Sequence, residues 1–300
     1  MHSIPKRLNT LQFAIVMVSA FMATAWAQAP TFTQLHSFDG TDGQSSYAGL
    51  IQTANGDFFG TTQLGGAHGL GTVFQITPTG TLATLYSFCS QGDCTDGYYP
   101  ETPLTRATGG DFYGTTSRGG TIDSTDCTRG CGTVFKITPT AKLTTLYSFS
   151  CSSNLGCSDG GYPRAALIQA TDGDFYGTTA GGDVGNAGTI FKITANSTLS
   201  TLYSFNFAAK GAETPVAPLI QGTDADFYGT TVVGGTHNLG TVFSLSVGLG
   251  PFVETQVRSG KVGAAVKILG SNLSGATTGY VEVTTPSVTL QSNSSFSVEP

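Results

Sequence analysis

One short stretch of sequence occurs four times along the chain, and that repetition limits the fold more than any other feature. DFFGTT (57–62) is followed by DFYGTT at 111–116, 174–179 and 226–231, with starts 54, 63 and 52 residues apart. Each leads through a glycine-rich turn to GTVFQI (71–76), GTVFKI (132–137), GTIFKI (188–193) or GTVFSL (240–245). LHSF (35–38) or LYSF (85–88, 146–149, 202–205) stands before each copy, followed by AGLIQT (48–53), ETPLTR, AALIQA or APLIQG. A unit this short cannot bury two faces alone, so neighbouring copies must stack into a shared core.

Each copy offers four short runs rich in Val, Ile, Phe, Tyr and Thr, punctuated by Gly, Asp and Pro, which read as strands. Nowhere in residues 30–300 does an apolar pattern of period 3.6 run long enough to predict a helix. Asn55-Gly56 and Asp172-Gly173 mark tight hairpins before the DFYGTT strand. The expected unit is a four-stranded antiparallel meander, and the expected fold is all-β: a β-propeller-like array of four four-stranded blades with a small C-terminal β segment. The ring pairs Phe58/Phe59, Phe112/Tyr113, Phe175/Tyr176 and Phe227/Tyr228 place one ring on each face of their strand, as filling between blades. Counted from the LIQ strand, the fourth copy lacks its last strand. The N-terminal Leu35–Phe38 is the expected substitute, paired beside Gly240–Leu245 to close the array, with oligomerisation as the other route to closure.

The first 29 residues read as a secretory signal peptide. Lys6 and Arg7 precede an apolar run over 13–26, and Ala25-Trp26-Ala27 offers a cleavage site. The expected domains are therefore 1–29 signal peptide, 31–247 repeat domain and 251–300 C-terminal segment. No second apolar run follows, so no transmembrane segment is expected after the leader is removed. Charged residues make up 11% of the chain and the net charge is −6. That balance excludes a nucleic-acid binder, which needs a basic stripe.

An oxidising compartment turns attention to the six cysteines, Cys89, Cys94, Cys127, Cys131, Cys151 and Cys157. They sit where the units carry extra loop length, as Phe88–Leu104 and Phe149–Leu167 outrun Phe38–Leu50. Structural disulfides 89–94, 127–131 and 151–157 are the simplest pairing, with cross-links between adjacent loops as the rival. No cysteine pair has zinc-ligand spacing with a nearby histidine.

Chemistry is sparse. His36 stands where the other copies have Tyr, and His68 and His237 occupy one loop position in the first and fourth copies. Asp57, Asp111, Asp174 and Asp226 recur immediately before the FYGTT strand, and Asp39, Asp42, Asp96 and Asp159 recur in the loop after the SF strand. Residues repeated in every copy are expected to serve the turn each copy needs. Ca²⁺ ligation and glycosidase chemistry by paired carboxylates are the alternatives. No cofactor is expected, and no catalytic motif is present. Glu101 and Glu213 are the only glutamates in the repeats.

The recurring text LYSF…DG…P…LIQ…DGDFYGTT…GG…GTVFKIT is Leu146–Phe149, Asp159-Gly160, Pro163, Leu167–Gln169, Asp172–Thr179 and Gly188–Thr194 in the third copy. It resembles the GloVer-type tandem repeat of bacterial secreted proteins over residues 35–245. The resemblance implies export and a propeller-forming architecture, with no defined activity. Residues 251–300 resemble the IPT/TIG immunoglobulin-like domain, matching its opening at Gly260–Gly270 and its end at Thr278–Val298. The middle of that pattern is absent between Gly275 and Thr278. The expected function is a non-catalytic secreted or cell-surface module that binds an extracellular glycan or protein. A secreted polysaccharide hydrolase with carboxylates near the propeller axis is the alternative.

Overall fold

The computed structural model describes residues 30–121, 129–150, 157–181, 187–206, 211–250, 252–255 and 268–270. The expected signal peptide lies outside them, as does most of the IPT/TIG-like segment. Among the described residues the chain is all-β apart from a single 3₁₀ turn at Gly92–Cys94. The first sheet contains β1 (Ile51–Gln52), β2 (Phe58–Thr62), β3 (Thr72–Ile76) and β4 (Leu82–Ser87) in chain order. The second contains β5 (Thr105–Arg106), β6 (Phe112–Thr116), β7 (Thr133–Ile137) and β8 (Leu143–Ser148). The third contains β9 (Ile168–Gln169), β10 (Phe175–Thr179), β11 (Thr189–Ile193) and β12 (Leu199–Ser204). All strand pairings in these three sheets are antiparallel, so three copies form the expected meander.

The fourth copy differs. A short pair, β13 (Ala212–Glu213) with β16 (Val233–Gly234), accompanies a sheet that has three strands among the described residues: β14 (Ile220–Gln221), β15 (Phe227–Thr231) and β17 (Thr241–Leu245). After β17, Val247 and Leu249 pack against the third–fourth sheet core, and the Phe252 N–H donates to the Thr223 carbonyl (3.0 Å). β18 (Val253–Thr255) and β19 (Ile268–Gly270) then form a separate antiparallel pair. The expected closing strand is not formed. Leu35–Phe38 is not a strand, and Phe38 instead meets Phe74 of the first sheet edge-on at 5.3 Å. Phe88, Phe149 and Phe205 meet Phe135, Phe191 and Phe243 of the following sheets in the same way. Leu35–Phe38 thus stands before the first sheet as each SF segment stands before the next one.

The repeated letters have physical reasons. In FYGTT the two rings point to opposite faces, and the second ring of one copy stacks on the first ring of the next. Phe59 lies 4.4 Å from Phe112, Tyr113 3.8 Å from Phe175, and Tyr176 4.2 Å from Phe227, between ring centroids. The glycine makes room: a Cβ on Gly177 would come within 2.7 Å of both Leu167 and Phe191. The last threonine pairs with the one opening the GTVF strand, as Thr116 Oγ1 and Thr133 Oγ1 lie 2.8 Å apart and buried. The other three copies repeat this hydroxyl pair at 2.8 Å.

The hairpin before β2, β6 and β10 closes on a left-handed glycine, Gly56, Gly110 or Gly173, at φ 93°, 94° and 86°. In the fourth copy Ala225 holds that place at φ 76°, donating its N–H to the Gly222 carbonyl (2.8 Å). A side chain is disfavoured in this region and glycine is not. Ala225→Gly is expected to raise stability by about 0.5–1 kcal/mol, net of the extra freedom of the unfolded chain. Denaturant melts check it through a higher midpoint at unchanged slope.

In the third copy Asp172 accepts from Tyr176 Oη (2.8 Å) and Lys192 Nζ (3.0 Å). Burial pushes its carboxyl up, but these hydrogen bonds outweigh it and hold the carboxyl below its ordinary value of 3.8. A carboxyl lowered on folding contributes stability that is present above its unfolded value and lost as pH falls through the folded one. Stability should therefore fall in acid below pH 3.8. Asp172→Asn should flatten that acid limb in melts recorded across the acid range.

Candidate functional site

Before β1, β5, β9 and β14, the first strands of the four repeat sheets, the chain makes the same turn. Ser45, Tyr99, Tyr162 and Thr214 adopt left-handed φ values of 58°, 59°, 56° and 57°. Their carbonyls accept the N–H groups of Gln63, Ser117, Ala180 and Val232 at 3.0–3.2 Å, which offsets the strain. Two residues later the chain presents Tyr47, Glu101, Arg164 and Val216. These four repeat-equivalent side chains, joined by Gln63, line one cavity of about 400 Å³.

The backbone at these positions is repeated and the side chains are not. Glu101 Oε1 accepts from Gln63 Nε2 (2.7 Å) and Ser117 Oγ (3.1 Å). Its Oε2 lies 4.0 Å from Arg164 Nε. These partners come from three different sheets' repeats, so the carboxylate is held by the stacking itself. Glu101 is mostly covered, with its side chain 22% exposed, while that of Arg164 is half open at 49%. Tyr47 stands exposed at 72%, and its ring is available to a ligand. Elsewhere between the second and third copies the Arg118 guanidinium lies over the Tyr162 ring, 4.3 Å from its centroid. The arrangement can donate and accept hydrogen bonds and offer a ring face. Glu101 is the one carboxylate among the described lining residues, and two-carboxylate glycoside hydrolysis requires a partner across the scissile bond.

The aspartates after the SF strands anchor that strand's aromatic residue. Asp96 is fully buried and accepts from Tyr86 Oη (2.8 Å) and the Ser90 N–H (2.9 Å). Burial, reinforced by Asp96, pushes the Tyr86 hydroxyl up to about 12. Asp159 accepts from Tyr147 Oη (2.8 Å) in the same manner. In the first copy His36 takes the tyrosine's part, with Nε2 2.6 Å from Asp42 Oδ2, while Asp39 accepts from the neighbouring Thr41. Three of the four aspartates before the FYGTT strand reach across to the next strand. Asp57 accepts from Gln75 (2.7 Å), Asp111 lies 3.5 Å from Lys136, and Asp174 lies 2.7 Å from Lys192. Asp226 closes its hairpin through its backbone carbonyl, which accepts from Gly222. Among the described residues no three His, Cys, Asp or Glu side chains come together as a metal-ligand set.

His68 and His237 are exposed on their turns, and Glu213 lies on β13 opposite Val233. A disulfide joins Cys89 to Cys94. Cys131 and Cys157 are also disulfide-bonded, and Cys127 and Cys151 lie outside the described residues. Tyr47, Gln63, Arg164 and Val216 are not apparent from motifs. The signal that exposes them is side-chain divergence at a position where four copies are otherwise in register.

Stacked four-stranded antiparallel repeats carrying one divergent cavity define the class: an all-β tandem-repeat protein. The chain belongs to the Gloeobacter/Verrucomicrobia repeat family, whose model matches residues 21–158 and 124–279. It has no match among curated proteins. Among solved structures it is similar to a luciferin-regenerating enzyme at 13% identity and a TM-score of 0.40, covering 68% of this chain and 62% of that one. A protein from Bacteroides uniformis assigned as a 6-phosphogluconolactonase matches at 15% identity and 0.42, covering 69% and 55%. A protein of unknown function from Dyadobacter fermentans matches at 10% identity and 0.43, covering 69% and 67%. The chain spans about three fifths of the length of the first solved structures it matches.

Proposed function

We propose that this protein is a non-catalytic secreted or cell-surface module that binds an extracellular glycan in the cavity of Tyr47, Gln63, Glu101, Arg164 and Val216. The observation that carries the reading is the convergence of one repeat position from four copies, each with different chemistry, into a single space. Its volume of about 400 Å³ falls in the range of small-ligand sites. A carboxylate, a guanidinium and an amide suit hydroxyl groups, and the exposed Tyr47 ring suits the apolar face of a sugar. Glu101 is already oriented by Gln63 and Ser117, so ordering it on binding costs little. Export is supported by the Lys6–Arg7 leader pattern, by family membership and by the Cys89–Cys94 disulfide. Among the described residues no helix is long and apolar enough to cross a membrane.

The test is a glycan array on the full chain, followed by titration calorimetry with the best ligand. Glu101→Ala and Arg164→Met should each weaken binding at least about tenfold, as loss of a charge-assisted hydrogen bond implies. Their melting temperatures should change little. Turnover of the bound polysaccharide would replace this reading with the hydrolase one. Undiminished binding by both variants would move the site elsewhere.

A further inference from the structure

The three internal junctions show what each sheet face requires. On the trailing face of a copy, Val73 and Val134 are 0% and Ile190 1% exposed, because the next copy covers them. Val242 of β17 holds the same place in the fourth copy and is 80% exposed, and Ile220 of β14, on the same face, is 65% exposed. The leading face of the first copy is open in the complementary way. Leu50 is 53% exposed there, whereas its equivalents Leu104, Leu167 and Leu219 are at most 3%. Phe58 and Tyr228 are the two rings of the FYGTT ladder with no stacking partner in the described residues, and both are only half-buried.

We propose that a second copy of this chain covers the trailing face of the fourth sheet, docking head to tail with the leading face of its first copy. The occupant follows from the repeat: every trailing face inside the chain is covered by a leading face of the same sequence. The docking also supplies the fourth strand that this sheet lacks among the described residues. Leu35–Phe38 already holds the position of an SF segment before its own first sheet, with Phe38 on Phe74, and is paired to no strand. Within the chain Val73 faces Tyr86 and Thr72 faces Ser87, and the Phe88 N–H donates to the Gly71 carbonyl. The same register places His36 of the second copy opposite Val242, Ser37 opposite Thr241, and the Phe38 N–H on the Gly240 carbonyl. Phe58 of the second copy then stacks on Tyr228. Such a contact is heterologous, using different surfaces on the two copies.

Sedimentation velocity on the full chain, from about 1 to about 100 µM, reads the outcome. The expected mass is at least twice that of one chain at the upper end. Val242→Asp and Leu50→Asp should each reduce it to that of one chain. Both side chains are more than half exposed, so circular dichroism and melting should match the parent. Mixed in equal amounts, the two variants should form a species of two chains and no larger. Val242→Asp retains a good leading face and Leu50→Asp a good trailing one. A parent that stays a single chain throughout overturns the proposal. So does a mass insensitive to Val242→Asp, or a mixture that remains single chains.

Discussion

Aromatic stacking between sheets is the interaction on which the rest of this structure depends. A four-stranded meander has two faces and no interior of its own. The FYGTT strand solves this by carrying one ring to each side, so each central sheet is held by a stack in front and another behind. Phe112, Phe175 and Phe227 are almost fully buried as a result. Burial of this kind stabilises by roughly 1.5–3 kcal/mol per side chain, which makes the ladder a major repeated contribution in the fold. The edge-on SF phenylalanines add a second row of contacts against Phe135 and Phe191, and the strand glycines Gly114 and Gly177 keep space for those two rings.

Regularity in the stack permits irregularity elsewhere. Once the strands, the Thr–Thr pairs and the left-handed turn residue are repeated, the residue two places beyond that turn is positioned whatever its side chain. Tyr47, Glu101, Arg164 and Val216 can therefore differ without disturbing a sheet. The buried Asp96 and the hairpin aspartates belong to the other category, because each satisfies a local hydrogen-bonding need and leaves little free for a ligand.

Much of the fold is legible in the sequence because the repeat states its own boundaries. The strand text, the hairpin Asn-Gly and Asp-Gly pairs and the alternating rings of Phe112 and Tyr113 all correspond to observed elements. The missing strand of the fourth copy is legible too. Its replacement is not, because pairing depends on where the first and fourth sheets lie, and curvature accumulated over several junctions is not encoded in any local motif. The cavity is harder still. Glu101 stands out as a rare glutamate, but Tyr47 and Val216 look ordinary until the copies are laid in register. Gln63 is brought to Glu101 from 38 residues away by the pairing of successive sheets.

A double-mutant cycle on Tyr113 and Phe175 tests the central role of the stack most directly, since these rings bridge the second and third sheets at 3.8 Å. Denaturant melts of Tyr113→Leu, Phe175→Leu and the double variant give the coupling between them. A coupling of about 0.5–1.5 kcal/mol beyond simple area loss is the predicted result. Strictly additive losses would show that the rings merely fill space, contradicting the stack as the link between sheets.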